Sequence, residues 1–196
     1  RQVGEKLFLK GERCYTPKCA IEKHRAAPGS QRPSRRRPSD YAVRLREKQK
    51  VRYAYGLREH QFLRNVKQAQ KQPGITGLYL MQLLERRLDN VVYRLNFSDS
   101  RAQARQMVLH GHCTVNGRKV DIPSFVVKAG DEIGWRTSSI EKDFVKEIKE
   151  TIPKREVPRW LDLDAGALTG KVSSLPEQQD IGDTVDTRLI VEFYSR

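Results

Sequence analysis

The chain has 196 residues, 37% of them hydrophobic, with 38 Lys and Arg against 24 Asp and Glu for a formal net charge of +14. That is enough apolar material for one large domain or two small ones, and it excludes a collagen, a mucin or a disulfide scaffold; three cysteines point to a reducing compartment. The charge is segregated: residues 1–60 carry 17 cations against 6 anions, 61–137 carry 12 against 6, and 138–196 carry 9 against 12.

The chain opens on Arg1 without a signal-peptide h-region, and some upstream sequence is expected to have been removed. In GERCYTPKCAIEKH, four residues separate Cys14 from Cys19, and His24 repeats the interval. Two thiolates and an imidazole at that spacing could begin a tetrahedral zinc site, structural rather than catalytic. Residues 25–39, RAAPGSQRPSRRRPS, hold five arginines, three prolines and three serines and cannot bury a core. Arg35, Arg36 and Arg37 make this a basic arm, expected to order itself against phosphates.

Ser39 or Asp40 caps a predicted helix to about Tyr55, with Tyr41, Leu45 and Val51 turned inward and Gly56 as its stop. Arg44, Arg46, Lys48, Lys50 and Arg52 spread around most of its circumference, which suits a helix laid against nucleic acid. A second helix, about Glu59 to Lys71, buries Phe62, Val66 and Ala69 and stops at Pro73-Gly74. From Thr76 the spacing of Leu80, Met81, Leu84, Leu88, Val91, Val92 and Leu95 predicts one long helix. It runs through Arg87-Leu88-Asp89, with Leu88 inward and Asp89 and Asn90 on the outer face. After a break at Asn96 and Ser98, Ser100 and Gln103 have capping-box spacing for a helix with Ala104, Met107 and Val108 inside and Gly111 at its end. Arg101 and Arg105 project from one side of it.

The stretch HGHCTVNGRKV, His110 to Val120, resembles a metal cluster at first sight. Strand alternation, however, puts Cys113 and Val115 on one face and His112 and Thr114 on the other, so the group does not converge on one ion and Cys113 becomes a small core residue. Asn116-Gly117 supplies the positive φ angles of a type I′ hairpin, aiming Arg118 and Lys119 outward. Phe125 to Val127 and Glu132-Ile133 are predicted strands about a turn at Ala129 to Asp131. Residues 139–150 suggest one short charged helix, 153–188 are weakly patterned, and Arg188 to Tyr194 reads as a terminal strand packed against something. No Ser-His-Asp set, Walker loop or paired carboxylate spacing is present. A polyanion is the implied partner, and nucleic acid fits better than a membrane because the basic segments lack a strongly apolar face.

The order of helix, Ser-Arg-x-x-Ala helix, Gly, strand, Val-Asn-Gly turn, basic strand and Gly-Asp-Glu-Ile strand resembles the S-four RNA-binding module, over about Arg86 to Trp135. The flanking RRPSDYAVRLREKQKVRYAYG, LLERRLDNVVYRL and LIVEFYSR closely resemble the S-four family of bacterial small-subunit ribosomal proteins, over nearly the whole chain and most weakly from about 138 to 187. The resemblance implies an α+β fold: a basic extension over 1–39, a helical domain over 40–84 completed by 186–196, and the S-four module with its extension over 85–185. It also implies a non-enzymatic, cytoplasmic, ribosome-bound protein that binds small-subunit (16S) rRNA and nucleates assembly of the small subunit. The family is further associated with the neighbouring ribosomal protein S-five, decoding accuracy, the mRNA entry path and, in some bacteria, repression of its own operon. Neither a membrane nor self-association is expected.

The rRNA contact then falls to Arg35, Arg36, Arg37, Tyr41, Arg44, Arg46, Lys48, Lys50, Arg52, Arg87, Arg101, Arg105, Asn116, Arg118 and Lys119. Shape and phosphate recognition should dominate over base-specific contacts. No cofactor is required. Some family members bind zinc through four cysteines, which leaves structural zinc open here, with Cys14 and Cys19 as ligands and His24 as the alternative. A rival class is the pseudouridine synthases, which carry an S-four module and an Arg-Leu-Asp motif like Arg87-Leu88-Asp89, but the chain has no room for a synthase domain. A stand-alone stress-response module is a third class.

Overall fold

The computed structural model describes residues 1–23, 37–152, 155–181 and 185–195. His24, Arg35 and Arg36 therefore lie outside the described residues, with most of the basic arm. A 3-10 turn at Gly11–Tyr15 and α1 (Ala20–Lys23) come first. They precede α2 (Asp40–Ala54), α3 (Glu59–Gln70), α4 (Thr76–Glu85), α5 (Leu88–Arg94) and α6 (Arg101–Leu109). Then follow β1 (Cys113–Val115), β2 (Arg118–Lys119), β3 (Glu132–Trp135), α7 (Thr137–Ile140), α8 (Asp143–Thr151), β4 (Leu161–Asp164), β5 (Thr169–Val172), α9 (Gln178–Ile181) and α10 (Thr187–Tyr194). The fold is α+β, as expected. Two compact units divide the chain, Arg1–Leu80 with Asp183–Arg196, and Met81–Gly182.

In the first unit, Ser39 Oγ accepts from Ala42 N at 3.3 Å and starts α2. Gly56, at φ +63°, turns the chain out of the helix. Phe62, Val66 and Ala69 of α3 are buried at the predicted spacing. Tyr41 does not turn inward; it is 59% exposed, with its ring tilted against that of Phe193 at a centroid distance of 5.7 Å. The terminal segment is a helix, not the predicted strand. Asp186 caps α10 by accepting from Arg188 N at 3.0 Å, and α10 packs on α2. Ile190 is fully buried, and the Tyr194 ring lies 6.2 Å from that of Phe62. Ile190, Phe193 and Tyr194 sit at i, i+3 and i+4, a helical spacing hidden among residues whose individual preference is for strands.

In the second unit the predicted long helix is two. Arg87, at φ −66° and ψ 136°, breaks it between α4 and α5. The break lets the chain pair sideways: Arg87 bridges Val126, Leu88 N donates to Phe125 O at 2.8 Å, and Val127 N donates to Arg86 O at 3.0 Å. This pairing is all that becomes of the strand expected over Phe125 to Val127. Leu84 and Leu88 stay buried on either side of the break, which is why the apolar period did not reveal it. Ser100 Oγ accepts from Gln103 N at 3.3 Å and Gln103 Oε1 from Asp99 N at 2.8 Å, so α6 starts on a reciprocal cap.

The antiparallel sheet runs β2-β1-β3-β5-β4. Asn116 at φ 51° and Gly117 at φ 75° form the β1–β2 turn as the Asn-Gly pair predicts. Cys113 and Val115 face the core. Burial pushes the Cys113 thiol up to about 12, the behaviour of an inert core sulfur. The β4–β5 hairpin lies in the stretch that lacked pattern; Asp164 Oδ1 accepts from Gly166 N and Ala167 N, both at 2.9 Å, and makes its turn. The charged helix expected over 139–150 is two short helices, α7 and α8. The core between helices and sheet gathers Leu88, Val92, Phe97, Val108, Ile133 and Trp160.

Candidate nucleic-acid interface

On the first unit, Arg37 and Arg46 are exposed and have no ion-pair partner among the described residues. Arg44 and Arg52 are half-buried. Arg44 Nε donates to Glu192 Oε2 at 2.8 Å, and Arg52 Nε donates to Gln49 Oε1 at 2.6 Å and lies 3.6 Å from Glu59. Lys48 and Lys50 correct the expectation of a surface role, at 4% and 7% exposed. Lys48 Nζ donates to Glu59 Oε1 at 2.8 Å and sits 4.8 Å from the centre of the Phe193 ring. Lys50 Nζ lies 2.7 Å from Glu5 and 3.4 Å from Glu47. Burial works to lower the Lys50 pKa, but the two carboxylates outweigh it and hold the ammonium above its usual value. A buried cation keeps its charge only with such partners, so both lysines fasten α2 rather than reach for a ligand.

The N-terminal thiols, Cys14 and Cys19, are buried and line one cavity of about 210 Å³ with Lys10, Arg13 and Ile21. Cys14 Sγ accepts from Lys10 N at 3.3 Å. Among the described residues no group of three or more His, Cys, Asp or Glu side chains could hold a metal ion. Two thiols are half of a tetrahedral set, so the described residues do not fit zinc by themselves.

On the second unit the break before α5 builds the site. Arg87 was expected to meet RNA; it is 4% exposed and forms a bidentate pair with Asp89, Nε to Oδ1 at 3.0 Å and Nη2 to Oδ2 at 2.8 Å. Asp89 and Asn90 are themselves buried, at 4% and 1%, and not on an outer face. Each steers one arginine of α6. Asp89 Oδ2 lies 3.4 Å from Arg105 Nη1. Asn90 Oδ1 accepts from Arg101 Nε at 2.7 Å, and the Arg101 guanidinium stacks 4.6 Å from the Tyr93 ring centre. Asn90 is held in turn by Glu85, whose carboxylate is fully buried and also accepts from Arg94 at 2.6 and 3.0 Å. Two half-buried guanidiniums, four residues apart, are thus oriented by a hydrogen-bonded base, the arrangement that favours planar recognition of phosphate.

Beside β1, Arg118 and Lys119 are exposed, and Lys119 makes a loose surface pair with Asp121 at 3.5 Å. Asn116 serves the turn: its Nδ2 donates to Asp131 Oδ1 and its Oδ1 accepts from Glu132 N, both at 2.9 Å. Arg155 carries no local signal that marks it out. It donates to Tyr93 O at 3.0 Å, Ser98 O at 2.6 Å and Asn96 Oδ1 at 3.1 Å, and stacks 4.0 Å from the Tyr93 ring centre. It thereby locks the turn that sets α6 against α5.

These features define an S4-domain protein: residues 86–133 match the S4 domain family, and residues 1–85 match the family described as Ribosomal protein S4/S9 N-terminal domain. The chain is 52% identical over 197 aligned positions to the small ribosomal subunit protein uS4 of Thermus thermophilus, covering 100% of this chain and 94% of that one. It is 52% identical over 196 positions to uS4 of Pelotomaculum thermopropionicum and to uS4A of Symbiobacterium thermophilum, with the same coverage. The chain belongs to the uS4 family of small ribosomal subunit proteins.

Proposed function

We propose that this protein is a structural component of the small ribosomal subunit that binds 16S rRNA directly and nucleates assembly around it. The observation that carries the reading is the full-length likeness to proteins named uS4. The geometry supports it through exposed Arg37, Arg46, Arg118 and Lys119 and the oriented pair Arg101 and Arg105. Capture is electrostatic and then shape-specific, each neutralised phosphate adding a log-salt slope of about −0.7 to −0.9. It needs no cofactor. In this reading the protein is cytoplasmic and ribosome-bound, lies beside ribosomal protein S-five and the mRNA path, and acts without catalysis; autogenous repression of its operon is a further role. Among the described residues no helix is long and apolar enough to cross a membrane.

Replacing Arg101 and Arg105 with Ala should weaken binding to a 16S rRNA transcript at moderate salt by at least tenfold. Unchanged affinity would remove these residues from the contact. Sedimentation of the protein away from small subunits in growing cells would overturn the reading as a whole.

A further inference from the structure

The outer face of α3 carries a second basic feature. Phe62, Val66 and Ala69 define its buried stripe. At 3.6 residues per turn, His60, Arg64, Lys67 and Lys71 fall within about 60° of arc on the opposite side, and Lys71, the helix C-cap, keeps helical backbone geometry. All four are exposed and, with Leu63 and Gln68, line an open groove of about 540 Å³. None of the four has an ion-pair partner among the described residues. The acidic residue of this helix, Glu59, is already engaged by Lys48 and by the Tyr194 hydroxyl.

A solvated helix face normally alternates its signs, because opposite charges four apart attract and like charges repel. Here Lys67 and Lys71 stand four apart with no carboxylate on their face. We propose that this stripe is a further RNA-backbone contact, in which a run of phosphates lies along about three turns of α3 against Arg64, Lys67 and Lys71, with His60 at its near end. The inference rests on the rRNA-binding reading above and adds a surface to it. RNA is the occupant favoured by charge complementarity: the stripe offers a line of cations about 16 Å long with no exposed aromatic or large aliphatic anchor on it, whereas a protein partner would need such a centre.

The test is filter binding of the full chain to a 16S rRNA transcript across a salt series, with two variants. One carries Arg64→Gln, Lys67→Gln and Lys71→Gln; the other carries Arg118→Gln and Lys119→Gln. Glutamine removes the charge while keeping a polar, unbranched side chain and helix preference, and thermal melts check that both variants fold. The α3 variant should bind at least tenfold more weakly at moderate salt, with its log–log salt slope flattened by about 2 to 3 and its melting temperature unchanged. If it binds like wild type while the hairpin variant weakens, the α3 contact is overturned and the rRNA-binding reading stands. If neither variant loses affinity, the α3 contact is overturned and the hairpin residues leave the contact as well. Full rRNA affinity combined with poor incorporation into small subunits would assign the stripe to a neighbouring protein and overturn the proposal.

Discussion

His112 stands just before β1 with its side chain half-buried. Strand alternation removed it from any metal set, and the structure gives it other partners: its Nδ1 lies 3.0 Å from Ser139 Oγ and its ring 5.3 Å from that of Phe144. Burial lowers its pKa most, and the charges of Lys142, His110 and Arg136 push the same way. A depressed folded pKa means that the unfolded chain takes the proton first. The stabilisation is therefore complete above the unfolded value of about 6.5 and is lost as pH falls towards the folded one. Urea unfolding followed by tryptophan fluorescence should show a midpoint that falls between about pH 7 and pH 5, and His112→Asn should flatten that slope. The cations divide in the same way. Arg46 and Arg118 could be judged exposed from sequence, but Lys48, Lys50 and Arg87 look identical to them until Glu59, Glu5 and Asp89 arrive from elsewhere in the fold.

Elements with local signals were readable, and those set by distant partners were not. The starts of α2 and α6, the buried stripe of α3 and the Asn116-Gly117 turn each depend on residues within a few positions of one another. The break before α5 depends on Phe125 and Val127, and the helical state of α10 on the face of α2. The turn between α5 and α6 depends on Arg155, some sixty residues away. That arginine satisfies carbonyls a turn would otherwise leave bare, and buried Asn96, at φ 64°, relies on it. Arg155→Ala should destabilise this unit by about 2 kcal/mol, the scale of losing charged hydrogen bonds at a half-buried site. Both tryptophans, Trp135 and Trp160, lie in the same unit, so their fluorescence in urea measures that loss directly.

At the scale of the whole molecule, charge and hydropathy were enough to say that the chain meets a polyanion, and the resemblance supplied which one. What completes the first unit was less accessible from composition and periodicity, because Thr187–Tyr194 returns to α2 across more than a hundred residues of intervening chain; Asp186 N donates to Glu47 Oε1 and Arg44 Nε to Glu192 Oε2. Truncation before Thr187 should leave the tryptophan-detected transition of Met81–Gly182 in place. Hydrogen exchange should then show the helices of the other unit losing more than about 3 kcal/mol of protection, on the scale of emptying the site of a buried Ile190. The same closure orders events during synthesis. All of Met81–Gly182 is made before Thr187–Tyr194, while α2, made earlier, meets its partner α10 only at the end of synthesis. A nascent copy thus completes its hairpin and α6 before its amino-terminal unit has all of its parts.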